Sequence, residues 1–387
     1  MTQLLEVIDD LTQHVDNREP IDMVYLDFSK AFDSVPHKRL LIKLAAYGIE
    51  GSLLKWIENF LSGRKQRVRV GSAHSSPENV ISGIPQGSIL GPVLFTIYIN
   101  DLPDCLASTC KVFADDTKIY NKSNEHGQIQ DDLNKLQDWS NKWNLSFNTK
   151  KCKVLHFGKN NPRHSYEMWD SDSYKVLETC EEEKDLGVVF DSALSFDAHI
   201  QKAISRANQV LGLIRRAFTY IDKQMFLNLY KAMVRPLLEY GNLIWCPYLK
   251  RQSAAIERVQ RRATKILPAC KDMTYTERMN YLNLPSLKAR RLRGDLIEMY
   301  KIYNGLTDIK LENHFTPSKS NITRNKQGKL FKNRARTNTR KFTFTNRVID
   351  HWNNLNPNTK FATNLNNFKN LLDRNTKFLD HFYLYDN

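Results

Sequence analysis

The residues best equipped for chemistry stand together at 111–120, where Val112-Phe113 and Ile119-Tyr120 flank the pair Asp115-Asp116. β-Forming residues on both sides of a short polar pair predict a tight hairpin, with both carboxylates at the end of a sheet. Adjacent carboxylates repel, so a fold that holds them together usually needs a cation, and hard oxygen donors suit Mg²⁺ or Mn²⁺. An Asp-Asp pair alone is weak evidence. Asp9-Asp10 and Asp131-Asp132 lie in helical patterns, the second early in its helix, where negative charge complements the N-terminal dipole. A metal role for Asp115 and Asp116 therefore needs a further acid.

Asp27 is the candidate. Residues 23–33, Met-Val-Tyr-Leu-Asp-Phe-Ser-Lys-Ala-Phe-Asp, read as a buried apolar strand that ends on a carboxylate and breaks into a helical turn. Between the two acidic sites, residues 82–92 run Ser-Gly-Ile-Pro-Gln-Gly-Ser-Ile-Leu-Gly-Pro. This predicts a rigid loop with bare backbone, shaped for close approach to a ligand, followed by an apolar helix. Strand-Asp, then Pro-Gln-Gly loop and helix, then Phe-Ala-Asp-Asp hairpin, in that order, resembles the palm domain of a reverse transcriptase. The phrases Tyr-Leu-Asp-Phe-Ser-Lys-Ala-Phe-Asp and Gly-Ile-Pro-Gln-Gly-Ser-Ile-Leu-Gly-Pro are similar to those of non-LTR retrotransposons.

With 387 residues the chain can bury a full core and should hold two or more subdomains. Its formal net charge of +15 is unevenly placed. Residues 1–120 carry 12 Lys and Arg against 15 Asp and Glu, whereas residues 201–350 carry 31 against 10. The basic rear half points to a polyanionic partner. The six cysteines lack zinc-finger spacing and fit free thiols in a reducing compartment. No apolar run approaches a membrane span, and no signal-peptide pattern opens the chain. The expectation is an intracellular protein, nuclear or cytoplasmic, with no membrane partner.

The resemblance implies an α+β fold: a right-hand polymerase palm, an antiparallel sheet with helices, followed by a helical thumb. The expected division is a palm with partial fingers elements at 1–158, a connection with a primer-grip-like region at 159–196, the thumb at 197–305 and a basic extension at 306–387. Apolar spacing predicts helices over 2–16, 36–48 and 53–63, and another through Ile129, Leu133, Leu136, Trp139 and Trp143, whose stripe belongs to the core. Residues 64–70 alternate like a strand, with Arg67 and Arg69 facing either a nucleic-acid backbone or solvent. Residues 159–183 read as a polar surface excursion, 197–305 as helical throughout, and 316–345 as an extended or weakly ordered basic segment. Arg215, Arg216, Arg258, Arg261, Arg262, Arg290, Arg291 and Arg293 fall on polar helix faces; singly they read as solvated, together as a surface for nucleic acid. In the family, fingers strands lie upstream of the first helix, so the chain is expected to start partway into the enzyme.

By resemblance, the partners are an RNA template, a DNA primer and deoxynucleoside triphosphates. Asp27, Asp115 and Asp116 would hold two Mg²⁺ (or Mn²⁺) ions about 3.5–4 Å apart for nucleotidyl transfer. Phe32 would pack under the sugar and disfavour a 2′-hydroxyl, or be an ordinary core residue. Gln86 and Gly87 would lie near the incoming nucleotide. Lys151, paired in the family with Asn148, would protonate the leaving pyrophosphate or lie against the template. Asp33 reads as a structural cap for the turn before Val35-Pro36. The competing expectations are a nucleic-acid-binding remnant without catalysis and a metal-dependent phosphodiesterase.

Overall fold

A computed structural model describes residues 1–170, 172–318 and 328–374. The chain divides into two compact units, residues 19–183 and residues 1–18 with 184–387. Helix α1 (Thr2–Asp16) opens the chain and groups with the second of these.

The unit of residues 19–183 is built on β1 (Ile21–Leu26), whose near-continuous apolar sequence suits a central strand covered on both faces. A single turn α2 (Ala31–Ser34) and helices α3 (His37–Ala46) and α4 (Gly51–Leu61) follow. Four two-residue strands come next: β2 (Lys65–Gln66), β3 (Arg69–Val70), β4 (Ala73–His74) and β5 (Glu78–Asn79). Then come α5 (Leu90–Ile99), the hairpin β6 (Thr109–Phe113) and β7 (Asp116–Lys122), α6 (His126–Trp143) and β8 (Lys153–Phe157). Three short strands, β9 (Glu167–Asp170), β10 (Ser173–Val176) and β11 (Glu178–Cys180), complete it. The main sheet has the order β11-β8-β1-β7-β6, antiparallel except for the β11–β8 pair. Its core includes Val24, Leu26, Leu40, Phe95, Tyr98, Ile119, Leu133, Leu136 and Trp139, so the α6 stripe is core as expected.

Three expectations change here. The strand over 64–70 is broken: β2 pairs with β5, β3 pairs with β4, and both Val68 and Val70 are exposed, because this ribbon has no core to alternate against. Residues 159–183 are more than an excursion, since Tyr166, Met168 and Leu177 enter the core and β11 forms a sheet edge. Asp132 is fully buried and accepts from the backbone N–H groups of Ser108 (2.7 Å) and Ala107 (3.2 Å), so it pins a loop rather than decorating a helix dipole.

Asp22 is the charged residue of the central strand. It accepts from His156 Nδ1 (2.7 Å), Tyr166 Oη (2.6 Å) and Asn161 Nδ2 (2.7 Å). Burial opposes its ionisation, but these donors outweigh burial and hold its carboxyl below the ordinary range. Lys43, also buried, sets its ammonium 3.8 Å from the centre of the Trp143 ring and pairs with Asp101, and burial lowers its pKa.

In the other unit, β12 (Glu182–Asp185) and β13 (Val188–Asp191) lead into helices α7 (Asp197–Ala217), α8 (Lys223–Leu229), α9 (Arg235–Glu239), α10 (Asn242–Trp245), α11 (Lys250–Thr264), α12 (Tyr275–Leu282) and α13 (Leu287–Tyr303). A π-helical turn at Tyr230–Val234 joins α8 to α9. Beyond them lie α14 (Leu311–His314), β14 (Thr316–Pro317), β15 (Leu330–Phe331), α15 (Asn338–Lys341), α16 (Phe344–Asn353), α17 (Pro357–Lys360) and α18 (Leu365–Arg374). The helical expectation for 197–305 holds.

The basic segment expected over 316–345 is ordered where it is described; residues 319–327 lie outside the described residues. Its cations are partly internal. Asp9 of α1 pairs with Arg340 and with His314 (2.7 Å), and Asp16 accepts from the backbone of Arg336 (2.9 Å) and Thr337 (2.6 Å). Three arginines assigned to polar faces also have internal partners: Arg290 with Glu239, Arg293 with Asp373, and the buried Arg291 with Ser253.

Candidate active site

The site grows from the end of β1. The register pairs Leu26 with Thr117, and one further step along the two antiparallel strands sets Asp27 opposite Asp116. Across the β6–β7 hairpin Phe113 pairs with Asp116, so the two-residue turn is Ala114-Asp115. The acidic pair is thus split, Asp115 in the turn and Asp116 on the first residue of β7. Ala114 takes a left-handed backbone, φ 52°, which costs an L-residue about 1–2 kcal/mol.

The other side of Asp27 is covered by residues 146–151. Asn148 N–H donates to the Asp27 carbonyl (2.7 Å) and Ser29 N–H to the Ser146 carbonyl (2.8 Å), while the Phe28 and Phe147 rings stack at 4.6 Å. Lys151 Nζ lies 3.2 Å from Asp27 Oδ2. That oxygen is buried and has no hydrogen-bond partner; the ion pair lacks hydrogen-bond geometry. Beside it opens a polar cleft of about 450 Å³ lined by Ser29, Lys30, Ser34, Asn144, Asn148 and Lys151. Lys30 and Asn144 both adopt left-handed backbones.

Asp27, Asp115 and Asp116 are oxygen donors of the kind a hard divalent cation takes, and the unsatisfied Asp27 Oδ2 fits such a ligand. Among the described residues, however, no three His, Cys, Asp or Glu side chains are gathered around one point. The backbone converges where the side chains do not, and Lys151 occupies the cationic role at Asp27.

Phe32 is half-buried, its ring stacked on Phe95 at 4.5 Å and 24°. Gln86 and Gly87 are exposed in the loop before α5. Asp33 caps no helix: neither α2 nor α3 has a side-chain cap, and Asp33 Oδ1 instead accepts from Gln86 Nε2 at 2.9 Å. Arg67 and Arg69 are exposed on the 64–79 ribbon, with Arg69 Nε donating to the Gly71 carbonyl at 2.9 Å. Arg215, Arg216, Arg258, Arg261 and Arg262 are exposed on α7 and α11, where Arg261 lies over the Tyr275 ring (4.8 Å) and Arg262 bonds Asn208 (2.7 Å). Sequence reasoning missed Ser29, Lys30, Ser34 and Asn144. A run of small polar and cationic residues directly after an acid at the end of an apolar strand was the available signal for the first three.

Residues 3–190 match the family described as reverse transcriptase (RNA-dependent DNA polymerase). Its relatives are reverse transcriptases of non-LTR retrotransposons. The chain is 27% identical over 286 residues to the probable RNA-directed DNA polymerase from transposon X-element of Drosophila melanogaster, covering 69% of this chain and 30% of that protein. It is 31% identical over 258 residues to the RNA-directed DNA polymerase from mobile element jockey of Drosophila funebris, covering 62% and 27%. The chain therefore spans less than a third of these relatives. A telomerase structure from Candida albicans, in complex with the TWJ fragment of telomeric RNA, aligns with 74% of this chain and 55% of that one at a TM-score of 0.42 and 10% identity. Among the described residues no helix is long and apolar enough to cross a membrane.

Proposed function

We propose that the chain is the catalytic part of an RNA-directed DNA polymerase that extends a DNA primer on an RNA template with deoxynucleoside triphosphates. The observation that carries this reading is the register that pairs Leu26 with Thr117 and Phe113 with Asp116, so that Asp27 and Asp116 follow next on adjacent strands with Asp115 in the adjoining turn, together with the unsatisfied Asp27 Oδ2. Residues 1–158 serve as palm with partial fingers elements, residues 159–196 as the connection, the helices of 197–305 as thumb, and 306–387 as a basic extension. Asp27, Asp115 and Asp116 would hold two Mg²⁺ or Mn²⁺ ions. When bound, such ions lower the pKa of the primer hydroxyl and neutralise charge on the transferring phosphate.

The chain's own residues do the rest. Lys30 and Lys151, with the hydroxyls of Ser29 and Ser34, supply cationic and donor groups to a polyphosphate in the cleft, and Lys151 gives a proton to the leaving pyrophosphate or lies against the template. Phe32, braced by Phe95, presents a ring edge to the sugar and excludes a 2′-hydroxyl. Exposed Arg67, Arg69, Arg215, Arg216, Arg258, Arg261 and Arg262 bind phosphates of the nucleic acid.

A second reading, a nucleic-acid-binding remnant without catalysis, draws on the ungathered carboxylates. Primer extension on RNA and DNA templates with Mg²⁺ separates the possibilities. Lengthened primer supports the polymerase, retarded but unextended primer the remnant, and shortened primer a phosphodiesterase.

A further inference from the structure

The turn after β1 and the loop before α5 form one latched piece. Ser82 Oγ donates to the Asp33 carbonyl (3.0 Å), Gly83 N–H to the Val35 carbonyl (2.8 Å) and Ile84 N–H to the Phe32 carbonyl (2.7 Å). His37 Nε2 lies 2.8 Å from the Gly83 carbonyl. The approach is so close that a Cβ on Gly83, at φ +90°, would sit 2.7 Å from the Asp33 carbonyl oxygen. The backbone of Asp33 is therefore fixed, and its side chain is free to hold something else.

What it holds is Gln86, through the 2.9 Å bond from Nε2 to Oδ1. An ionised carboxylate only accepts, so the nitrogen of the amide must face Asp33 and the oxygen must face away; the flipped amide would set two acceptors against each other. Beside it Gly87, at φ +81°, leaves open space where a Cβ would stand. We propose that Asp33 is a positioning residue that locks the Gln86 carboxamide with Oε1 facing outward, a fixed hydrogen-bond acceptor for a donor group of the incoming nucleotide. The identity of the recipient rests on the polymerase reading above; the lock does not.

Two measurements on the full chain test it. In chain labelled with ¹⁵N-glutamine, the Gln86 side-chain amide is identified by its loss in Gln86→Ala. Asp33→Ala should move the bonded proton's signal upfield toward the position of an unbonded glutamine amide, and an unchanged pair of signals overturns the lock. In steady-state incorporation, Asp33→Ala should raise nucleotide KM roughly fivefold to tenfold with kcat within about twofold, and Asp33→Glu should restore part of the loss. In the Gln86→Ala background the same substitution should leave KM nearly unchanged, because its partner is gone. Fully additive effects overturn the claim that Asp33 acts through Gln86. A wild-type chain that incorporates no nucleotide overturns the polymerase reading and the nucleotide as recipient, while the amide signals still decide the lock.

Discussion

Replacing Asp27 with Asn removes one charge at nearly constant shape, and the structure separates its effect on folding from its effect on chemistry. Asp27 Oδ2 has no hydrogen-bond partner to lose, and its ion pair to Lys151 joins side chains 36% and 66% exposed. A pair this exposed contributes at most about 1 kcal/mol, further reduced by screening. The variant should therefore melt within a few degrees of the wild type. The response to metal is different. At about 10 mM Mg²⁺, a site with Kd on the order of 1 mM adds about 1.4 kcal/mol to stability. For a unit spanning 19–183, that is a rise in Tm of roughly 3–5 °C. Asp27→Asn should abolish most of this rise and lower primer extension by at least about 10³-fold. Calorimetry with and without Mg²⁺, beside single-nucleotide extension, reads both. Full extension by the Asn variant, or an undiminished Mg²⁺ response, would refute the assignment of Asp27 as a ligand.

Phe32→Ala should raise ribonucleotide use relative to deoxynucleotide use by roughly tenfold or more and cost about 1–3 kcal/mol through the lost stack on Phe95; competition between the two nucleotides and a urea melt measure these, and an unchanged ratio returns Phe32 to the core. Replacing Arg258, Arg261 and Arg262 together by Gln should reduce the steepness of log affinity against log salt by up to about 3, and a wild-type affinity indifferent to salt would count against the basic surface. His199 accepts a hydrogen bond from Val189 N–H on Nδ1 (3.2 Å), and burial pushes its pKa down to about 4. The unfolded chain takes up the proton first, so stability should fall as pH drops from about 6.5 toward 4, and His199→Gln should flatten denaturation midpoints across that window. Asp22→Asn should cost about 3 kcal/mol, because it puts an amide among buried donors. The pKa of Asp22 is depressed in the fold, so its contribution is present above the unfolded carboxylate pKa and is lost as pH falls through the lowered value; acid titration of Tm in wild type and variant compares them.

The sequence by itself determined the central strand, the acidic hairpin, the main helices and the order of the acids. Alternation and apolar runs marked β1, the β6–β7 hairpin and the α6 stripe, because burial on one face leaves a period that can be read locally. Asp27, Asp115 and Asp116 stood out for the same reason: each ends or interrupts such a run. Tertiary structure decided what each charge does. Asp132 and Asp9 look like solvated helix acids in sequence, yet each is buried among donors from distant segments. Residues 64–70 alternate like a half-buried strand but meet no core, so both faces stay in water. Arg290, Arg291 and Arg293 were indistinguishable by type from Arg258, Arg261 and Arg262, and only packing gave the first three internal partners and left the others exposed. Asp33 was read as a cap because caps are local, whereas its partner Gln86 lies 53 positions along the chain. Periodicity reports how a residue meets its neighbours in sequence; hydrogen bonds and ion pairs between distant segments depend on which surfaces the fold brings together, and no local pattern encodes that.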